Sequence, residues 1–416
     1  MLNKNLFLYD LAVVAIFKDE GRYLKEWLDY HLLAGVEHFY LYNNDSTDNY
    51  EEVLAPYIEK NLVTLTDFPG KMMQYPAYND AINKYRFDCR YMAFIDIDEF
   101  IFPKSNRSIV EVVDEILSGI PNAAGLAINW QMFGSNGQET ADYSRGVLER
   151  FTRRADSTVK IIANDNVEVG NVNVKTIANP RLVQCVANAH CANYFFDKFA
   201  VNSNGKCVPH WGNNPVLNDK IVVNHYIVKS REEFFLKSKR GYPNGASAAD
   251  ISFFSNYDHN EEFDDGILKY RAAREKNFSF ESDESRISRV INALVQTLMQ
   301  NSSDDSFVDK LETFLTCRAV AEKFQIKIGE HFAEEYALAW IYQTHIKANL
   351  LTCAEIQLFM KELPKILTRP FPICKEIKTL TQDNVIPRLC ATWKNLGDMK
   401  ARDDMIYIQQ LLRLIK

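Results

Sequence analysis

The sequence predicts an α/β protein with a mostly parallel sheet that carries helices on both faces, followed by an all-α part. Apolar segments of strand length alternate with amphipathic segments of helical length from residue 11 to residue 134, which is typical of βαβ units. The first strand, "LAVVAIF", is apolar throughout, as in a strand buried on both faces. From about residue 265 only helical periodicity remains. We therefore expect one domain at 1–264, with halves at about 1–135 and 136–264, and a helical domain at 265–416.

The first half contains five predicted strands and four predicted helices. The strands cover residues 11–17, 38–44, 62–68, 90–96 and 125–134, and the helices cover 20–35, 48–55, 75–86 and 108–119. Gly35 is a natural C-terminal cap, and Pro76 fits the first turn of the third helix. Asp48 and Glu51 have capping-box spacing, and Pro56 is expected to end or kink the second helix.

Residues 140–235 show more strand-like patterns, with "GVLERF", "VKTIANPRLV" and "KIVVNHYIV" as predicted strands. The segment "SREEFFLKSKRG" is predicted as a helix, and four helical segments follow after residue 265. The last of them, "MIYIQQLLRLIK", is amphipathic with basic ends. Such a helix is compatible with a membrane surface, although a core-facing helix is favoured.

Composition excludes some classes of protein. The net charge of −7 argues against a nucleic-acid binder, which usually shows a basic stripe. The eight cysteines form no C-x-x-C pair, which favours reduced thiols in the cytoplasm. No apolar run reaches the roughly 18 residues of a membrane span. We expect a cytoplasmic protein whose only membrane contact would be peripheral, at the inner face of the cell membrane.

Polar clusters follow three of the predicted strands, namely 18–20, 43–45 and 96–98. Ligands of such sheets bind outside the carboxyl ends of the strands. In "YMAFIDIDEF", Asp96 and Asp98 lie two residues apart and so point to one side of an extended chain. Two convergent carboxylates suit Mn²⁺ or Mg²⁺, which complete their shell with water and substrate phosphates. The alternative is an acidic loop paired with nearby Lys or Arg.

Several common nucleotide and hydrolase motifs are missing from the sequence. It contains no G-x-G-x-x-G after the first strand, no G-x-x-x-x-G-K-[ST] and no G-x-S-x-G. Dehydrogenase, P-loop and α/β-hydrolase interpretations are therefore poor. A nucleotide whose diphosphate is bound through a metal fits better.

An ordered set of motifs covers roughly residues 10–245 and resembles glycosyltransferase family 92, a family with the GT-A fold. The motifs are "AIFKDEGRYLKEWLDYHLLAGVEHFYLYNNDSTD", "YNDAINKY", "FIDIDEF", "NWQMFGSNG", "ERF" and "NHYIVKSREEFFLKSKRG". The resemblance implies a nucleotide-sugar donor, commonly UDP-galactose, and inversion at the anomeric carbon. Gln138 stands where the family often has His, and "ETADYSRG" also departs from the usual form.

The resemblance also implies roles for individual residues. Asp96, Asp98 and His225 would hold the metal. Ala15, Phe17 and Lys18 would form the base pocket, and Asp45 would contact uracil or ribose. Asn79, Lys84 and Asp96 would face the donor, whose diphosphate would be bound by Lys229, Lys237 and Arg240. Trp130, Gly134 and Asn136 would shape the sugar and acceptor pocket. Each role has a structural alternative. His225 would be a satisfied histidine at a strand end, Asp45 a helix cap, and Trp130 a core residue. Asn79 and Lys84 would lie on an ordinary helix surface, and the three basic residues on a solvated helix face.

The catalytic base is not selected by the sequence. Glu149 is the first candidate, His190 the second, and Asp142 and Asp219 are further ones. The expected reaction transfers a hexose to a glycan or lipid-linked glycan in bacterial surface polysaccharide or lipopolysaccharide synthesis, with oligomerisation through the helical domain. Two other functions stay open. One is a non-catalytic GT-A-like scaffold, and the other is a nucleotidyltransferase, which would normally show a Gly-rich basic loop after the first strand.

Overall fold

The computed structural model describes residues 3–162, 167–194, 198–240, 251–276, 281–299, 313, 316–317 and 319–326. The chain divides into a larger unit, Phe7–Tyr194 with Lys198–Ser282, and a smaller unit, Met1–Leu6 with Phe195–Asp197 and Asp283–Lys416. Most of the predicted helical domain, including "MIYIQQLLRLIK", lies outside the described residues. None of the described helices is both long enough and apolar enough to cross a membrane.

Strands and helices alternate through the first 132 residues, and short strands dominate the next 70. The strands are β1 Tyr9–Phe17, β2 His38–Asn43, β3 Val63–Asp67, β4 Cys89–Phe94, β5 Glu99–Pro103, β6 Ala123–Met132, β7 Arg153–Arg154, β8 Ile161–Ile162, β9 Glu168–Val169, β10 Val174–Ala178, β11 Val183–Val186, β12 Ala192–Tyr194, β13 Phe199–Val201, β14 Ile221–His225 and β15 Glu262–Phe263. The helices are α1 Gly21–Leu33, α2 Tyr50–Glu59, α3 Gln74–Tyr85, α4 Ile109–Leu117, α5 Val147–Arg150, α6 Arg231–Arg240, α7 Ile251–Tyr257, α8 Gly266–Glu275 and α9 Asp283–Met299, with 3₁₀ turns at Lys4–Leu6 and Pro180–Leu182.

One nine-stranded sheet organises the larger unit, in the order β3-β2-β1-β4-β10-β6-β14-β5, with β13 paired to β6. The first four strands of this order are parallel. Strand β10 comes from the second half of the chain and runs antiparallel between β4 and β6. Strand β14 is parallel to β6 and antiparallel to β5. The predicted α/β class with a mostly parallel sheet is confirmed.

Apolar side chains cover both faces of the sheet. On one face α1 buries Trp27 and Tyr30, whose polar atoms donate to the carbonyls of Glu99 and Ile101 at 2.8 and 2.9 Å. On the other face α3 buries Tyr78 against β1 and β4. These anchors fix α1 and α3 on opposite sides of the strand that ends in the acidic motif.

Three local predictions fail in whole or in part. Helix α2 does not end at Pro56 but continues to Glu59, and Tyr57 holds its last turn through a 2.6 Å hydrogen bond to Asp29. Asp48 makes no capping hydrogen bond to α2 and instead accepts from the Gly21 amide at the start of α1. The segment "GVLERF" contains the short helix α5 and no strand.

Candidate functional site

The loops after the parallel strands are tied to one another at the carboxyl edge of the sheet. Asp19 and Asp45 adopt positive φ angles of 48° and 56°, a strained conformation that is concentrated at functional sites. Asp19 accepts from the Thr47 amide at 2.7 Å, and Asp45 accepts from the Gly70 amide at 3.2 Å. The three loops therefore form one platform.

Asp96, at the end of β4, is held on one side by a hydrogen-bond network. Its Oδ1 accepts from Gln74 Nε2 at 2.8 Å and from the Tyr78 hydroxyl at 3.3 Å. Its Oδ2 accepts from Lys175 Nζ at 2.8 Å. The Asp96 side chain keeps 31% of its surface exposed, so it can still meet a ligand.

Glu99 explains why three carboxylates tolerate one another in this motif. It is fully buried, and Lys175 Nζ lies 3.2 Å from its Oε2. Burial raises the pKa of Glu99, Asp96 and Asp98 add to the rise, and the ammonium of Lys175 opposes it. Glu99 Oε1 makes no hydrogen bond among the described residues. Glu99 therefore belongs to a closed internal cluster with Lys175 and Asp96.

Asp98 points to a different set of partners. It is 4% exposed, its Oδ2 contacts Lys237 Nζ, and its Oδ1 lies 3.6 Å from His225 Nε2. Burial alone would raise the pKa of Asp98, but Lys237 and then His225 hold that pKa well below its usual range. Asp98 is therefore ionised at neutral pH.

Two further rings, those of Trp130 and His190, extend the site from His225. The Trp130 ring centroid lies 4.2 Å from that of His225 and 5.1 Å from that of His190. His190 Nδ1 lies 3.0 Å from the Val174 carbonyl and so carries the proton, which leaves Nε2 as the acceptor. Burial lowers the pKa of His190 to about 4. His190 is neutral at physiological pH and can accept a proton.

A cleft of about 220 Å³ lies beside Lys237; we call it the α6 cleft. Lys229, which also lines it, is 3% exposed, lies 4.6 Å above the Tyr23 ring and makes no ion pair within the described part of the chain. Burial lowers the pKa of Lys229. Arg240 contacts Glu20, whose Oε2 makes no hydrogen bond among the described residues. Together with Arg22, which also lines it, the cleft gathers four cations against three carboxylates, and this excess of positive charge matches the chemistry of a diphosphate. Its principal lining residues are Asp19, Glu20, Tyr23, Lys229, Lys237 and Arg240.

A buried ion pair fixes the start of α6. Arg150 donates to both carboxylate oxygens of Glu233 at 2.6 and 3.0 Å, and both side chains are 1% exposed. Glu233 also accepts from the Tyr23 hydroxyl at 2.9 Å and from Ser230 Oγ at 2.5 Å. This network joins the "ERF" segment, α1 and α6 around the cleft.

Two of the three predicted metal ligands, Asp98 and His225, lie together in the structure. Asp98 and His225 face each other, whereas Asp96 already binds Lys175 through Oδ2. Within the described ranges no cluster of three His, Cys, Asp or Glu side chains has ligand geometry. Two protein ligands suffice for Mg²⁺ or Mn²⁺ when substrate phosphates supply the others, and the imidazole of His225 favours Mn²⁺. The residues present therefore fit an ion that arrives with its nucleotide.

The predicted base-pocket residues lie mostly in the core. Ala15 and Phe17 are 0% and 1% exposed, and the Phe17 ring packs against Tyr50 with centroids 5.5 Å apart. Lys18 is half-buried in the loop that follows. Only Lys18 presents side-chain surface toward a ligand at this strand end.

The two predicted donor contacts of α3 have other partners. Asn79 exchanges hydrogen bonds of 2.8 and 2.9 Å with the backbone of Val186, so it holds β11 against α3. Lys84 is half-exposed and pairs with Asp80 one turn away. This arrangement favours the structural alternative for both residues.

The predicted acceptor residues separate into two places. Trp130 joins the His225 site, as described above. Gly134 and Asn136 lie in a loop tied to Asn260, where an added Cβ on Gly134 would stand 2.3 Å from the His259 carbonyl. Glu149 is exposed and pairs with Arg271 at 3.1 Å, away from the acidic motif.

Lys175 is the principal site residue that the sequence interpretation missed. Its side chain is 1% exposed in the middle of β10, between Asp96 and Glu99. A lysine inside an otherwise apolar central strand requires a buried anionic partner. "VNVKTIA" carried that signal, but the sequence does not show which carboxylates β10 meets.

Comparisons with known proteins agree with the resemblance. The family model described as "Glycosyltransferase family 92" matches residues 13–271. A glycosyltransferase family 92 protein of Ricinus communis is 26% identical over 147 residues, which cover 35% of this chain and 26% of that protein. One of Oryza sativa subsp. japonica is 29% identical over 147 residues, covering 35% and 25%. The matched stretches thus span about a quarter of the length of these relatives.

Two further comparisons are more limited. A galactan beta-1,4-galactosyltransferase of Arabidopsis thaliana is 36% identical over 100 residues, which cover 22% of this chain and 19% of that protein. The crystal structure of S. aureus TarS 1-349 in complex with UDP covers 94% of this chain and 92% of its own, at 12% identity and a TM-score of 0.32. A TM-score this low supports no inference about this chain.

Proposed function

Because this chain belongs to glycosyltransferase family 92, we propose that it is a metal-dependent glycosyltransferase that moves a hexose from a UDP-sugar to a glycan acceptor. One observation carries the proposal: Asp98, which faces His225, contacts Lys237, and Lys237 lines a cleft together with Lys229 and Arg240. Galactose is the first candidate sugar, because relatives are named galactan beta-1,4-galactosyltransferases.

The donor diphosphate would lie in the α6 cleft. Lys229 and Arg240 can donate charge-assisted hydrogen bonds to phosphate oxygens, and the low exposure of Lys229 strengthens such contacts. A divalent ion held by Asp98 and His225 would stabilise the charge that develops on the departing diphosphate. Asp96, held by Lys175 yet partly exposed, would orient the ribose.

The transfer would proceed in one displacement. The acceptor hydroxyl oxygen forms a bond to the anomeric carbon while the bond from that carbon to the diphosphate oxygen breaks. The electron pair of the broken bond stays on UDP, and the hydroxyl proton passes to a base of the protein. Attack from the face opposite the leaving group inverts the anomeric centre.

His190 is better placed than Glu149 to be that base. His190 is connected to Asp98 through Trp130 and His225, and its Nε2 is available as an acceptor. Glu149, on α5, is engaged with Arg271 of α8. If His190 is the base, His190→Ala should lower kcat by about a hundredfold or more, which corresponds to a typical acid–base contribution.

Calorimetry and thermal shift test the donor assignment. UDP should raise the melting temperature only when Mn²⁺ or Mg²⁺ is present, whereas GDP and CMP should have smaller effects. UDP-galactose should then be hydrolysed slowly without acceptor. Absence of any nucleotide binding would overturn the proposal and favour a non-catalytic scaffold.

A further inference from the structure

A second cavity, of about 390 Å³, adjoins the α6 cleft. Arg22, Tyr23 and Tyr143 line both cavities, so the two share a wall. The lining of the second cavity follows α1 from Arg22 to Leu33, a length of about 16 Å at 1.5 Å per residue. We call it the α1 groove. Its other walls are the segment 143–150 and, on α8, Arg271 and Glu275.

The walls of the α1 groove are fixed by internal contacts. Glu26 accepts from the amides of Val147 and Leu148 at 2.5 and 3.2 Å. An added Cβ on Gly146 would stand 2.2 Å from Glu26 Oε1, so a larger residue there would displace the carboxylate that holds this segment against α1. The buried pair of Arg150 and Glu233 holds the other end of α5. The groove is therefore preformed, as ligand sites usually are.

Most charges of the groove are matched within the protein. Lys25 pairs with Asp29 at 2.5 Å, and Arg271 pairs with Glu149 at 3.1 Å. Arg145 pairs with Asp142 at 3.2 Å. Arg22 makes no ion pair among the described residues and lies 4.4 Å from the Tyr143 ring centroid, on the wall shared with the α6 cleft. Beyond that shared wall the ionic groups neutralise one another, so the groove attracts no ionic ligand strongly but offers many fixed donors and acceptors. Hydroxyl-rich, uncharged chains match that pattern.

We propose that the α1 groove holds the acceptor as an extended, uncharged oligosaccharide whose reactive end passes Tyr143 into the α6 cleft. This inference rests on the proposed transferase function and adds the location, charge class and extended form of the acceptor. It differs from the sequence expectation, which placed the acceptor at the loop of Gly134 and Asn136. Asn136 is tied to the Asn260 side chain and to Thr152, and Gly134 packs closely against His259 and Asn260. Glu149, which lines the groove, would then contact the acceptor chain instead of the reacting carbon.

A blocking substitution tests the proposal. Ser144 is exposed and lines the groove, so Ser144→Trp should fill it without disturbing the core. Ser118→Trp, at an exposed position after α4 outside the groove lining, is the matched control. The full chain is applied to an array of immobilised neutral and acidic oligosaccharides of increasing length. UDP affinity is measured in parallel by calorimetry.

The expected result is capture by neutral oligosaccharides that strengthens with chain length and changes little with added salt. Ser144→Trp should weaken this capture roughly tenfold or more, about 1.4 kcal/mol. Ser118→Trp should leave the capture unchanged, and neither substitution should change the affinity for UDP. Capture of acidic glycans alone, capture unaffected by Ser144→Trp, or no capture by any glycan would overturn the assignment. If UDP binds and no glycan is captured, only the groove assignment fails. If UDP does not bind either, the proposed function fails first.

Discussion

The two aspartates of "FIDIDEF" lie two residues apart but belong to regions of opposite character. On the side of Asp96, Lys175 bridges two carboxylates, and Gln74 and Tyr78 complete a closed cluster. On the side of Asp98, the partners are His225 and Lys237, and Lys237 lines a cleft.

This difference assigns separate tasks to the two sides. The closed side neutralises its carboxylates with a lysine of the protein itself, so its principal effect is on stability and on the position of the motif. The open side can exchange a protein cation for a metal ion or a ligand, so its principal effect is on binding. Substitutions on the two sides should therefore change different measurements.

The largest effect is expected for Asp98→Asn. Loss of this carboxylate should weaken UDP binding in Mn²⁺ at least about a hundredfold, roughly 2.7 kcal/mol, as measured by calorimetry. Asp96→Asn should weaken it only about tenfold, because Oδ2 of Asp96 is already bound to Lys175. Equal losses in the two variants, with unchanged melting temperatures, would contradict the division into a closed and an open side.

Lys175→Met should mainly reduce stability. Removal of the ammonium leaves Glu99 and Asp96 without their buried cation, and breaking such a pair costs about 3–5 kcal/mol. Urea denaturation measures the free energy of unfolding. The exposed pair of Lys25 and Asp29 supplies the control, since Lys25→Met should cost less than about 1 kcal/mol. Adding Glu99→Gln to Lys175→Met should recover part of the loss; no recovery would refute a charge-based role.

His190 should make stability depend on pH. Its pKa in the folded chain is lowered to about 4 from an ordinary value of 6.5, so between these pH values the unfolded chain binds the extra proton. The stabilising contribution is present above pH 6.5 and is lost as the pH falls toward 4, by about 3 kcal/mol. The difference in unfolding free energy between the native chain and His190→Gln should shrink accordingly. A constant difference would show that His190 titrates normally.

The smallest effect on the donor is expected for Glu149→Gln. Its carboxylate pairs with Arg271 in the α1 groove, so UDP affinity should change less than about twofold. Acceptor KM should rise more than kcat falls. A hundredfold loss of kcat with unchanged acceptor KM would restore Glu149 as the candidate base.

The sequence predicts the parallel part of the fold well because buried strands leave continuous apolar runs. Residue type and spacing also single out Asp98, His225 and Lys237, which the structure brings together. The sequence fails where partners are distant along the chain. Lys175 lies 79 residues from Asp96, and only the antiparallel insertion of β10 beside β4 brings them together. The predicted end of α2 at Pro56 is wrong, and the contact of Tyr57 with Asp29 that holds the last turn is a tertiary contact that the local sequence does not show.

The placement of β10 has a consequence for how the chain can be divided. Strand β10 separates β4 from β6, and β14 then joins β6 to β5. The segments 1–135 and 136–264 therefore interleave in one sheet, so a cut between them would leave β4 and β6 with unpaired edges. Exchanging the second segment between relatives, in the hope of changing acceptor while keeping donor, would also replace the lysine beneath the donor motif. Chimeras of this family should be designed around whole sheets and their loops instead of around halves of the sequence.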